Sequence, residues 1–158
     1  MPFRLFHDLF PEVAERETRT ASVLQDEGGA LPGDTYGFLE MYCDERGCDC
    51  RRVYFSVLAR SRGRTMAQIT WGWESADFYR GRSSFELSPA DLAELTGPAL
   101  ASGQPQTELG PALVEFVRDT LLADSAYVER IQCHYRMFRE AIDKPSKTDW
   151  WRKERKRR

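Results

Sequence analysis

Three cysteines fall within eight residues in the stretch Cys43-Asp-Glu-Arg-Gly-Cys48-Asp-Cys50-Arg-Arg-Val53. Cysteine is often simply buried, but the neighbours here are Asp, Glu, Arg and Gly, which do not build a core. Three soft thiolates suit zinc, which takes tetrahedral sulfur and nitrogen donors at about 2.0–2.3 Å. The Cys-x4-Cys-x-Cys spacing departs from the usual Cys-x2-Cys knuckle, so the assignment rests on donor type and crowding. Asp44 and Asp49 are less suited as direct ligands, whereas Arg51 and Arg52 stand where their charge would offset that of the thiolates.

A closed structural zinc site needs a fourth ligand, and the chain offers His134, Cys133 and His7. The first two lie in a C-terminal segment where Val128, Ile131, Tyr135, Phe138 and Ile142 form a helical apolar stripe. At about 100° per residue, His134 falls roughly 80° from the centre of that stripe and Cys133 about 180° away. The expected site is therefore Cys43, Cys48, Cys50 and His134 around Zn2+. An all-cysteine site through Cys133, holding zinc or an iron–sulfur cluster, is the alternative. His7 sits in an apolar N-terminal segment and reads as an ordinary histidine.

The elements that must position these residues follow from periodicity. Phe3, Phe6, Leu9 and Phe10 have helical spacing, with Pro11 ending or bending the helix. Strands are expected over 17–24, 36–43, 52–59 and 66–73. In the second of these, Leu39, Met41 and Cys43 share one face and Tyr36, Phe38 and Tyr42 the other. Gly47 permits the tight reversal that returns Cys48 and Cys50 to Cys43. Helices are expected from Ser88-Pro89, from Gly110-Pro111 to Leu122, and from Asp124 or Ser125 to about Ile142. Strands first and helices after give an α+β fold: an antiparallel meander of about four strands with two to three C-terminal helices on one face.

Composition bounds the rest. The chain of 158 residues is 41% hydrophobic and 30% charged, the profile of one globular domain. No apolar run reaches the roughly 20 residues of a membrane span, and the N-terminus lacks a signal peptide's apolar stretch. A cytoplasmic, reducing location is expected, where cysteines serve as thiols or metal ligands. Charge is uneven: residues 144–158 carry eight basic and two acidic residues, net +6, while residues 1–143 carry net −8. The expected organisation is a single zinc-binding domain over 1–143 and a basic, flexible tail over 144–158.

Glu17-Thr-Arg19, Tyr-x-Phe-x-Glu-x-Tyr-Cys at 36–43, Cys-Asp-Cys-Arg-Arg-Val at 48–53, Gly72-Trp73-Glu74 and His134-Tyr135 resemble a family of uncharacterised bacterial proteins. The resemblance covers roughly Phe6 to Phe138. It implies that the hairpin and the C-terminal helix belong to one unit, and it implies no activity.

The functional expectation is a zinc-stabilised structural or interaction domain, with a homodimer as the candidate assembly. An alternative is contact with nucleic acid or an anionic surface through the tail, where Trp150 and Trp151 stand among lysines and arginines. A zinc-dependent hydrolase is the second alternative, with Glu40 or Glu74 as base; as solvent-facing or arginine-paired residues they have a simpler explanation. The chain has no His-Glu-x-x-His, zinc-deaminase pair, phosphate loop, Gly-x-Ser-x-Gly elbow or dinucleotide fingerprint. The pattern leans against an enzyme. Trp71, Trp73, Phe78, Tyr79 and Tyr54 are expected to serve as core more than as a recognition surface.

Overall fold

The computed structural model describes residues 2–24 and 29–145. Most of the tail at 144–158, with Trp150, Trp151 and the nucleic-acid expectation attached to them, lies outside the described residues.

Three long strands form the antiparallel meander: β3 (Asp34–Cys43), β4 (Arg52–Ala59) and β5 (Arg64–Gly72). Alternating apolar residues and short connections drive this pairing. The free edge of β5 takes the two-residue β6 (Ala99–Leu100). The other edge, along β3, is shared. The short β1 (Phe3–Leu5) pairs with its end at Met41–Cys43, and β2 (Arg19–Val23) pairs with Asp34–Phe38. Between these partners the chain leaves the sheet through α1 (Phe6–Leu9) and α2 (Pro11–Glu17). The N-terminal segment expected as one helix is thus a strand followed by two short helices. Pro11 opens the second helix, because its locked φ and missing N–H suit a first-turn position.

Parity along β3 divides the molecule. Tyr36, Phe38, Glu40 and Tyr42 are buried on one face, opposite Val53, Phe55, Val57 and Ala59 of β4. Against this face pack α5 (Gly110–Phe116), its π-type continuation Val117–Leu121, and α6 (Ser125–Asp143). The Asp124 carboxylate caps α6 by accepting from the backbone N–H groups of Ala126 and Tyr127. The core is therefore aromatic, with Tyr36, Phe38, Tyr42, Phe55, Tyr127 and Phe138 fully enclosed. Trp71 and Trp73 are partly buried and pack against it, as expected, and Trp73 meets Tyr135 edge-on at 5.0 Å.

The second face of the sheet is covered too. There α3 (Ala76–Arg82) and α4 (Pro89–Thr96) pack over Arg52, Thr70 and Gly72. A Cβ on Gly72 would lie 2.2 Å from Tyr79 Oη and 2.4 Å from the Leu95 carbonyl, so only glycine lets these helices approach. Ser88 and Asp91 form a full capping box at the start of α4. The fold is α+β as expected, but its helices lie on both faces of the sheet. Among the described residues no helix is long and apolar enough to cross a membrane.

Candidate metal centre

Strand β3 ends on Cys43, the chain turns at Arg46-Gly47, and Cys48 and Cys50 follow before β4 begins at Arg52. Gly47 takes φ +75°, the left-handed conformation that the reversal requires. Arg51 also has a positive φ, 47°, uncommon for a residue with a Cβ. Its surroundings hold it there: its N–H donates to Tyr135 Oη at 3.1 Å, and its carbonyl accepts from Tyr79 Oη at 3.0 Å. The result brings the three thiols together, with their sulfur atoms all within 4.8 Å of one another. Four sulfurs at 2.3 Å around a tetrahedral zinc would be separated by about 3.8 Å, so the donor set fits a metal ion with small side-chain adjustments. Cys43 is fully buried, while Cys48 and Cys50 are half-buried.

Burial, and then the neighbouring thiols Cys48 and Cys43, push the Cys50 thiol up to about 12; burial likewise raises Cys43. Neutral thiols are poor nucleophiles. A bound cation is what would ionise them, since metal ligation requires the thiolate.

His134 is not part of this group. The reason is strand parity. Cys43 points to the face bearing α3 and α4, whereas α6 lies across the opposite face, against Glu40 and Tyr42. The inward stripe of α6 runs through Tyr127, Ile131, His134, Tyr135 and Phe138, so His134 sits within it and is buried. Both ring nitrogens are already engaged: Nδ1 with Glu40 Oε2 at 2.7 Å, and Nε2 with Glu17 Oε2 at 2.5 Å. Phe6 stacks on the ring at 4.3 Å. Cys133 is exposed, as its wheel position implies, and it too stands apart from the three thiols.

The helix still grips the hairpin, by other means. Arg139 donates to the carbonyls of Cys43 at 2.5 Å and Glu45 at 2.8 Å. Tyr135 donates to Asp49 at 2.9 Å, and Asp143 accepts from the Gly47 N–H at 2.8 Å. The clasp expected from a shared metal is made by hydrogen bonds.

The sequence reading missed the Glu17–His134–Glu40 bridge. Glu40 is buried, and its Oε2 also accepts from Tyr42 Oη at 2.7 Å, while Oε1 has no hydrogen-bond partner. The cue was present: Glu40 falls on the core parity of β3, between Phe38 and Tyr42. Burial of the ring works against protonation of His134, but the hydrogen bonds and charges of Glu40 and Glu17 outweigh it and raise its pKa. The hydrogen bond to His134 lowers that of Glu17. A cleft of about 550 Å³ opens beside Glu40 and His134, rimmed by Thr18 and Thr20. Glu74, the other acid considered, pairs with Arg51 at 3.0 Å.

Cys48 and Cys50 also line a cleft of about 600 Å³ on the second face, together with Arg52, Tyr54 and Tyr79. Phe78 stands nearby between two cations, Arg51 at 4.8 Å and Arg82 at 4.0 Å from its ring centre. No protein-family model matches the chain, no curated protein matches it, and neither does any solved structure.

Proposed function

We propose that Cys43, Cys48 and Cys50 hold one zinc ion through three thiolates, in a domain whose role is structural or recognition rather than catalysis. The convergence of three sulfurs within 4.8 Å carries this reading. Thiolate donors favour a soft or borderline cation, and zinc has no geometric preference that the hairpin would violate. Three thiolates and Zn2+ carry net charge −1, and Arg52, close enough to Cys50 to favour its ionisation, lies beside them. Among the described residues no further His, Cys, Asp or Glu donor joins the three thiols, and two of them, Cys48 and Cys50, line the cleft on the second face. In the hydrolase alternative the base would come from Asp49, Asp91 or Glu94, the acids that line that cleft, each of which already accepts a hydrogen bond from another residue.

Metal analysis of the purified protein checks this directly. About one zinc per chain is expected, with Cys43→Ser and Cys50→Ser losing it and Cys133→Ser keeping it. A folded, metal-free protein with three titratable thiols in the hairpin would refute the proposal.

A further inference from the structure

The thiol hairpin leaves a tetrahedral metal one donor short. The chain has four cysteines and two histidines, and all six lie among the described residues. Three of them form the thiol cluster. Cys133 is exposed on α6 and apart from it, His134 has both ring nitrogens on carboxylates, and His7 lines the cleft beside Glu40. Among the described residues no carboxylate joins the sulfurs either. Asp49, between Cys48 and Cys50 in sequence, is held by Arg51 at 2.9 Å and by Tyr135 at 2.9 Å. Closed structural zinc sites carry four protein ligands, whereas sites with three keep a position that water or a ligand exchanges.

The approach to the sulfurs is through the cleft on the second face. Cys43 is fully buried, while the half-buried Cys48 and Cys50 both line that cleft. Charge decides which donor can enter. Asp49, Asp91 and Glu94 stand there against Arg52 and Arg82, a net charge of −1. Arg51 and Glu74, which pair at 3.0 Å, cancel each other. Three thiolates around Zn2+ carry a further −1. An anionic donor brought to the metal would meet both at close range, which disfavours a carboxylate or another thiolate. An uncharged nitrogen donor meets no such repulsion, and imidazole is a donor that zinc takes beside thiolates.

We infer that, with zinc on the three thiols as proposed above, its fourth position is exchangeable and takes the uncharged imidazole of a small ligand whose aromatic body sits in this cleft. The walls that would receive the body are apolar. Phe3 stacks on Tyr54 at 3.9 Å, Leu87 and Leu95 also line the space, and Phe85 is 70% exposed. At about 600 Å³ the cleft is of small-ligand size. The donor nitrogen supplies the bond to the metal, and the walls supply the preference for a body over bare imidazole.

Phenylimidazole is the probe, with bare imidazole and the para-carboxylate of phenylimidazole as comparators, titrated into the full chain loaded with Co2+. All three offer the same donor nitrogen, and the visible ligand-field bands of cobalt report the donor set. Phenylimidazole is expected to shift those bands to saturation and to bind at least about tenfold more tightly than either comparator. Phe85→Ala, at an exposed position, is expected to lose most of that advantage over imidazole while its metal content and its affinity for imidazole stay unchanged. Bands that no ligand moves, in protein holding about one cobalt per chain, would overturn the inference and leave the zinc reading standing. A chain that takes up no metal would overturn both. Equal affinity for phenylimidazole and imidazole would remove the cleft from the site, and equal affinity for the carboxylate would overturn the charge argument. A metal-dependent dimer on gel filtration, with a spectrum that no added ligand alters, would give the fourth position to a second copy of the chain and overturn the inference as well.

Discussion

Replacing His134 by alanine should unfold the domain by several kcal/mol and leave its metal content intact. The imidazole is 2% exposed and the Glu40 carboxylate beneath it 4%. Without the ring, Glu40 keeps one hydrogen bond, from Tyr42, while its Oε1 already has none. Breaking a buried ionic pair by removing one member costs about 3–5 kcal/mol, because the remaining charge is left uncompensated. A domain of this size has about 5–15 kcal/mol to lose, and at about 2–4 °C per kcal/mol the melting temperature should fall by about 6–20 °C. Urea unfolding followed by tryptophan fluorescence gives the free energy, and metal analysis of the folded fraction gives the zinc content. The double variant Glu40→Gln/His134→Gln should recover most of the loss, since a neutral hydrogen-bonded pair of similar volume replaces the ions. A variant that loses metal while keeping wild-type stability would refute the placement of His134. A double variant no more stable than His134→Ala would refute the charge accounting.

The same bridge sets a pH window. The raised His134 contributes stability that is complete below its ordinary value of 6.5 and fades as pH climbs through the raised one; the lowered Glu17 contributes stability that fades as pH falls below 4.5. Stability measured by urea should therefore be greatest between these values, and the alkaline decline should vanish in His134→Gln. Gly72→Ala should cost at least about 1–3 kcal/mol by overpacking, because the added methyl would meet the fixed Leu95 carbonyl at 2.4 Å; an unchanged urea midpoint would contradict the close seating of α4.

Much of this fold was legible because each of its long elements carries its own signal. The alternation in β3, β4 and β5 located the meander, and Ser88-Pro89, Gly110-Pro111 and Asp124 located three helix starts. The short N-terminal pieces were not legible. Phe3, Phe6 and Phe10 are apolar at helical spacing, yet Phe3–Leu5 pairs with β3, whose open edge offers more hydrogen bonds than a marginal helix end. The placement of α3 and α4 on the second face escaped as well, since their hold on the sheet is a missing side chain at Gly72 and an arginine at Arg52. Convergence of the three thiols followed from spacing alone. Ligation by His134 followed from a helical wheel, which ranks the residues of α6 against each other but says nothing about which side of the sheet α6 lies on. The strand parity already written for Cys43 and Tyr42 answers that: if Tyr42 faces the helix, Cys43 cannot.

That parity also bears on what a metal at the hairpin would be for. A zinc that joined β3 to α6 would be a staple, and its value would lie in the stability of that junction. Here the junction exists without it, through Arg139, Tyr135 and Asp143. Five of the contacts that fix the hairpin come from α6, and each of them ends on a backbone group or on Asp49, never on a sulfur. Next to Arg51, whose backbone takes a positive φ and whose side chain pairs with Asp49 and Glu74, Cys50 lines the cleft on the second face. Conformational strain held in place by surrounding bonds is characteristic of functional sites. A metal bound by these thiols would sit on a hairpin already held by α6, beside the buried guanidinium of Arg52. The three thiols thus lie outside the set of contacts by which α6 clasps the hairpin.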